Sequence, residues 1–206
     1  MKKILTVLTA LLMGVAALAQ PPEEILSRME EEMNKHENEG LVMTVDLKMP
    51  ILGTQSTRTW ILGNKIRTEL SVRGEKAITW SDGTTDWTYI SKNRQVTIET
   101  SSGKSSDSGD TEMFSGIAEG YDVSIKKETA NAWYILCKKS KSNKEKDDPK
   151  TMDVVVAKGT YYPVSLSAKA SGITMTMKEI SFGVTEKQVT FNPADFPDAT
   201  IVDKRH

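Results

Sequence analysis

From Leu41 onward, apolar residues recur at every second position in short runs cut by turn residues. A chain with that period exposes one face of each run and buries the other, so it must fold as strands. Leu41, Met43, Val45, Leu47 and Met49 alternate with Val42, Thr44, Asp46 and Lys48 until Pro50 and Gly53 break the run. Thr57–Leu62 follows, then the two-residue turn signal Gly63-Asn64, then Lys65–Val72 with Ile66, Thr68, Leu70 and Val72 on one parity. Ala77–Trp80, the turn Asp82-Gly83, Asp86–Ile90 and Gln95–Thr100 continue the pattern. It resumes at Tyr121–Lys127, Ala132–Lys138, Met152–Ala157, Tyr162–Ala170, Ile173–Phe182 and Gln188–Phe191. About eleven short strands with turns between them predict a mainly β protein, an antiparallel barrel or strongly curled sheet.

Two segments carry a different period. Between Glu23 and about Asn38, after Pro21 and Pro22, Ile25, Leu26, Met29 and Met33 recur every three to four residues and form a single stripe. Glu23 and Glu24 suit the first turn of a helix there, and Gly40 suits its end. A helix with one apolar face has to lie on something apolar. Thr111–Ala118 is expected to form a short central helix bearing Met113, Phe114 and Ile117. Ser101–Asp110 and the lysine-rich Lys139–Lys150 read as loops.

The first nineteen residues have a separate meaning. Lys2 and Lys3 precede an uncharged apolar run from Ile4 to Leu18, and Ala17-Leu18-Ala19 is a small-x-small site. That is the layout of a secretory signal peptide cut after Ala19, and the run is shorter than the roughly 20 residues of a membrane span. The expected division is therefore 1–19 as signal and 20–206 as a single domain, exported, soluble and, with Gln20 rather than Cys after the cut, not lipidated. The remaining chain has 25 basic and 28 acidic residues, too balanced for a nucleic-acid footprint. Its single cysteine, Cys137, forms no intrachain disulfide and reads as a buried small hydrophobe in a strand. With two histidines, His36 and His206, far apart in sequence, and no nucleophile–base set or phosphate loop, neither an enzyme nor a metal or cofactor site is expected.

Eight methionines remain after residue 19, against four phenylalanines in the chain. Methionine is pliable and suits surfaces that adapt to varied apolar shapes, and it fills cores equally well. A barrel of this strand number has room for a ligand cavity.

The run Ile78-Thr79-Trp80-Ser81-Asp82-Gly83-Thr84-Thr85-Asp86-Trp87-Thr88-Tyr89 resembles the Ser-Asp-Gly-x-x-x-Trp-x-Tyr hairpin of the LolA family of periplasmic lipoprotein carriers. The order of segments is similar too: leader, amphipathic helix, long first strand, a strand with Trp60, then Lys65-Ile66-Arg67. Phe191–Arg205 resembles the family's closing strand and terminal Asp-x-Arg, and Tyr162-Pro163-Val164 the start of a late strand. Where better-known members carry Arg-Pro to latch the lid, this chain has Leu62-Gly63-Asn64.

The resemblance implies an unclosed antiparallel half-barrel lidded by helices, here Ile25, Leu26, Met29, Met33, Met113 and Phe114. It implies a monomeric periplasmic carrier with no cofactor. Its partners would be acylated lipoproteins or other lipids, an inner-membrane release machinery and an outer-membrane acceptor. The alternative from another class is a lipid-sensing or protein-interaction module of envelope regulation; the related regulator has a further C-terminal domain, for which no room is expected after His206. Strand parity then picks the acyl-contacting wall. Charged Asp46 and Lys48 put Met43 and Leu47 inward, Ile66 and Leu70 follow on the same ground, and Met175 and Met177 oppose Thr174, Thr176 and Lys178. With Trp60 these six are expected to form one continuous surface.

Overall fold

The computed structural model describes residues 20–101, 111, 114–146 and 148–205. The leader at 1–19, Met113 and most of the Ser101–Asp110 loop lie outside the described residues. The apolar stripe winds into helix α1 (Pro22–Asn34), with Pro21 and Pro22 at its start and Glu23 and Glu24 in its first turn. It ends four residues short of the expected Asn38, and residues 35–39 continue as turns into Gly40.

The strands are β1 (Leu41–Met49), β2 (Gly53–Leu62), β3 (Lys65–Val72), β4 (Glu75–Ser81), β5 (Thr85–Ile90) and β6 (Gln95–Thr100). After the central segment come β7 (Tyr121–Glu128), β8 (Ala132–Lys139), β9 (Thr151–Ala157), β10 (Pro163–Ala170) and β11 (Ile173–Phe182). A helical turn α2 (Glu186–Val189), a 3-10 turn at Pro193–Asp195 and β12 (Thr200–Asp203) complete the order. All twelve strands join one sheet in the order β12-β6-β5-β4-β3-β2-β1-β11-β10-β9-β8-β7. The two halves of the chain thus meet where β1 pairs with β11, and β7 and β12 are free edges, so the sheet is an unclosed half-barrel.

Three details differ from the expectation. Of the expected Thr111–Ala118 helix, Phe114 is in a 3-10 turn and residues 115–120 form turns, while 112 and 113 lie outside the described residues. Gln188–Phe191 is not a strand, because Thr185-Glu186-Lys187-Gln188 closes a helical first turn in which the Thr185 backbone N–H donates to Gln188 Oε1 at 2.8 Å. The twelfth strand lies at Thr200–Asp203 instead, and it pairs with β6 in parallel, against the antiparallel habit of the rest.

Each half of the sheet is buried on a different face. On the β1, β11–β7 half, α1 covers the face carrying Leu41, Met43, Met177, Leu166, Val154, Ile135 and Cys137. Phe114 and Ile117 join that core from the central turns. On the β2–β6 half it is the other face that is covered. Trp80, Trp87 and Tyr89 pack there against Phe191 and Phe196 of the C-terminal segment, with ring centroids 4.5–5.9 Å apart.

Candidate functional site

The helix face of the sheet is the candidate site. Its floor can be followed by register. Val45 pairs with Met177 and Thr57, and Leu47 with Met175 and Gln55. Thr57 pairs with Leu70, and Leu41 with Ile61, which pairs with Ile66. Period-two alternation therefore brings six of the seven expected wall residues, Met43, Leu47, Ile66, Leu70, Met175 and Met177, onto one face.

Trp60 is the correction. It pairs with Val42 and Arg67, so it stands on the opposite face from Met43. There it lies under two guanidinium groups, Arg67 at 4.9 Å and Arg58 at 6.0 Å from its ring. Arg67 is itself ion-paired with Glu69 and donates to the Gln188 carbonyl at 3.3 Å, so this cluster fastens the C-terminal segment to the sheet.

The six remaining residues divide by burial. Met43 and Met177 sit in the core, whereas Leu47, Ile66, Leu70 and Met175 are half-buried. Ile25, Met29 and Met33 of α1 have no accessible surface. A side chain with none borders no water-sized space, so the sheet directly under α1 is filled with side chains. The open apolar surface lies beside the helix, on Val45, Leu47, Ile66, Leu70 and Met175. Of the expected lid residues, Ile25, Leu26, Met29, Met33 and Phe114 are all buried against the sheet, and Met113 lies outside the described residues.

Both ends of α1 are tied to the 158–162 turn. Arg28 Nη1 donates to the Tyr161 hydroxyl at 3.2 Å, and that hydroxyl donates to Gln20 at 3.2 Å. At the other end His36 Nε2 lies 2.7 Å from the Tyr162 hydroxyl, and its ring stacks on Phe182 at 4.3 Å. His36 lies two residues past the last residue of α1. The adjacent Tyr161-Tyr162 pair was its one available signal.

A regular polar row crosses the same face, entering the patch at Thr68 between Ile66 and Leu70 and running on across β4–β6. Thr59, Thr68, Thr79, Thr88 and Thr97 pair in succession across β2–β6, a threonine row that register alone reveals. Each threonine offers a methyl and a hydroxyl, so the row is wettable but not charged. On the far side of the sheet, hydrogen bonds from Lys178 (2.6 Å) and Ser56 (2.5 Å) hold the Asp46 carboxyl below its ordinary range. That confirms the outward parity that Asp46 assigns to β1. No group of His, Cys, Asp and Glu suited to a metal ion occurs among the described residues.

No family model matches the chain, and no curated protein matches it by sequence. Solved structures resemble it in their chain trace. One is the Mycobacterium tuberculosis lipoprotein LppX, 10% identical with a TM-score of 0.48 over 80% of this chain and 98% of that one. Another is MucB in complex with MucA, 14% identical with a TM-score of 0.45 over 84% of this chain and 60% of that one. A LolA superfamily protein from Nitrosomonas europaea is 9% identical, with a TM-score of 0.33 over 85% of this chain and all of that one.

Proposed function

We propose that this protein is an exported carrier that shelters acyl chains of lipoproteins, or of other lipids, beside α1 and delivers them toward the outer membrane. The observation that carries the reading is the apolar but half-open patch of Val45, Leu47, Ile66, Leu70 and Met175 next to a helix whose own stripe is buried. Removing one CH₂ from water is worth about 0.8 kcal/mol, so a chain of about 14 methylenes is a load of about 11 kcal/mol. A carrier must hide that load without a clamp that would hold it. Pliable methionine and leucine walls meet the first need, and the absence of a charged anchor on the patch meets the second. The threonine row alongside suits the polar end of the same amphiphile. In this reading α1 is the wall that borders the acyl chain, and its ties to Tyr161 and Tyr162 hold it on the sheet. Signal cleavage after Ala19 accounts for the export, and no covalent chemistry or cofactor is involved.

Mixing the chain from Gln20 onward with a triacylated peptide should give a soluble complex on gel filtration at micromolar protein. Failure with every acylated peptide contradicts the carrier. Recovery from the periplasm with a stoichiometric protein and no lipid favours the interaction module instead.

A further inference from the structure

One end of the sheet is built unlike the other. Hairpin connections alternate between ends, so the β1–β2 turn shares its end with the β3–β4, β5–β6, β10–β11 and β8–β9 connections. At the tip of the β1–β2 turn Ile51 is 95% exposed and Leu52 is 67% exposed. Ile173, which opens β11, is 41% exposed, and Val72, which closes β3, is 38% exposed. An isolated exposed leucine needs no explanation, but four large apolar side chains gathered at one end do.

The charges of that end include Glu75, which opens β4, and Asp195 and Asp198 beside Arg94, but basic groups predominate. Lys48, Arg73, Lys92, Arg94 and Lys169 belong to these turns or their flanks, and none is in an ion pair among the described residues. Lys48 and Lys169 both flank Thr174 in one row across β1, β11 and β10. Beside them the β8–β9 loop and the β10–β11 turn enclose an open cleft of about 700 Å³, lined by Lys146, Lys150 and Lys169 with Asp148. At the opposite end Lys65 is paired with Glu186 and Lys158 with Glu128.

We propose that the end of the sheet bearing Ile51 and Leu52 docks on an anionic lipid surface, with these two side chains entering the interface and the surrounding lysines and arginines facing the headgroups. Apolar side chains ringed by free cations are what such a surface binds, since neither signal alone holds a soluble protein there. The geometry also gives the docking a direction. Ile173 shares its parity with Met175, and Val72 with Leu70, so the exposed rim runs directly into the half-buried patch. A molecule crossing between bilayer and patch would meet apolar side chains throughout.

The test is flotation of the chain from Gln20 onward, which holds every described element. The vesicles are pure phosphatidylcholine, or phosphatidylcholine with 30% phosphatidylglycerol, and neither contains an acylated peptide. The outcome is thus independent of the carrier reading. The protein should float with the anionic vesicles and not with the neutral ones. Ile51→Asp with Leu52→Asp, or Lys48→Glu with Lys169→Glu, should each lower the bound fraction about tenfold, and 0.5 M salt should do the same. A separate Leu52→Trp variant should show a blue-shifted emission on anionic vesicles that brominated lipid quenches. No flotation with anionic vesicles overturns the proposal. So does flotation that the Asp variants leave unchanged, or a dimer in sedimentation that those variants dissolve, since a second copy would then cover the tip.

Discussion

At the scale of single residues, the decisive question is which side of the sheet a side chain occupies. Cys137 answers it for β8. It has no accessible surface, and burial, with a smaller contribution from Asp153, pushes its thiol up to about 11. The thiolate is the reactive form, so at pH 8 the folded protein should resist an alkylating reagent, and unfolding in urea should expose a single reactive thiol. Labelling of the native protein at the rate of a free thiol would remove Cys137 from the core. Trp60 shows what residue identity leaves open. Its parity with Leu62 is plain in the sequence, but parity defines two faces and not which is covered. The choice is made by Arg58, two residues before Trp60 on the same strand and face, and by Arg67, the cross-strand partner that only register brings to it.

At the scale of elements, charge within a strand made its orientation legible. Asp46 and Lys48 in β1, and Lys178 in β11, leave one parity for water, and the pairing of Asp46 with Lys178 confirms both strands at once. The helix was legible for the same reason, since a stripe at 3–4 spacing has one solution. Short apolar runs without charge carried less: Gln188–Phe191 alternates like a strand, yet the Thr185/Gln188 capping pair makes it a helical turn. The two methionines of β11 now separate into different roles. Met177 is 8% exposed in the core under α1, whereas Met175 is half-buried at its margin. Met177→Ala should therefore cost about 2–5 kcal/mol, read from the urea midpoint. Met175→Ala should shift the midpoint by less than half as much and should weaken acyl binding more. Equal midpoint losses with acyl binding unchanged in both would make Met175 ordinary core.

At the scale of the whole molecule, the sheet is one continuous ribbon with its two halves covered on opposite faces. The C-terminal segment packs Phe191 and Phe196 on one face, and α1 packs Met29 and Met33 on the other. That arrangement was not legible from alternation, because it depends on where the two terminal segments return. Its consequence is that the helix face of β2 and β3 is left without a dedicated cover beside α1, and this is where the proposed acyl site falls. The most direct measurement is photo-crosslinking with a peptide whose acyl chain bears a diazirine, followed by mapping of the labelled residues by mass spectrometry. The account predicts labels on Val45, Leu47, Ile66, Leu70 and Met175, and their loss when unlabelled acylated peptide competes. Labels confined to the Trp80, Trp87 and Phe191 face, or scattered labels that no competitor removes, would contradict it.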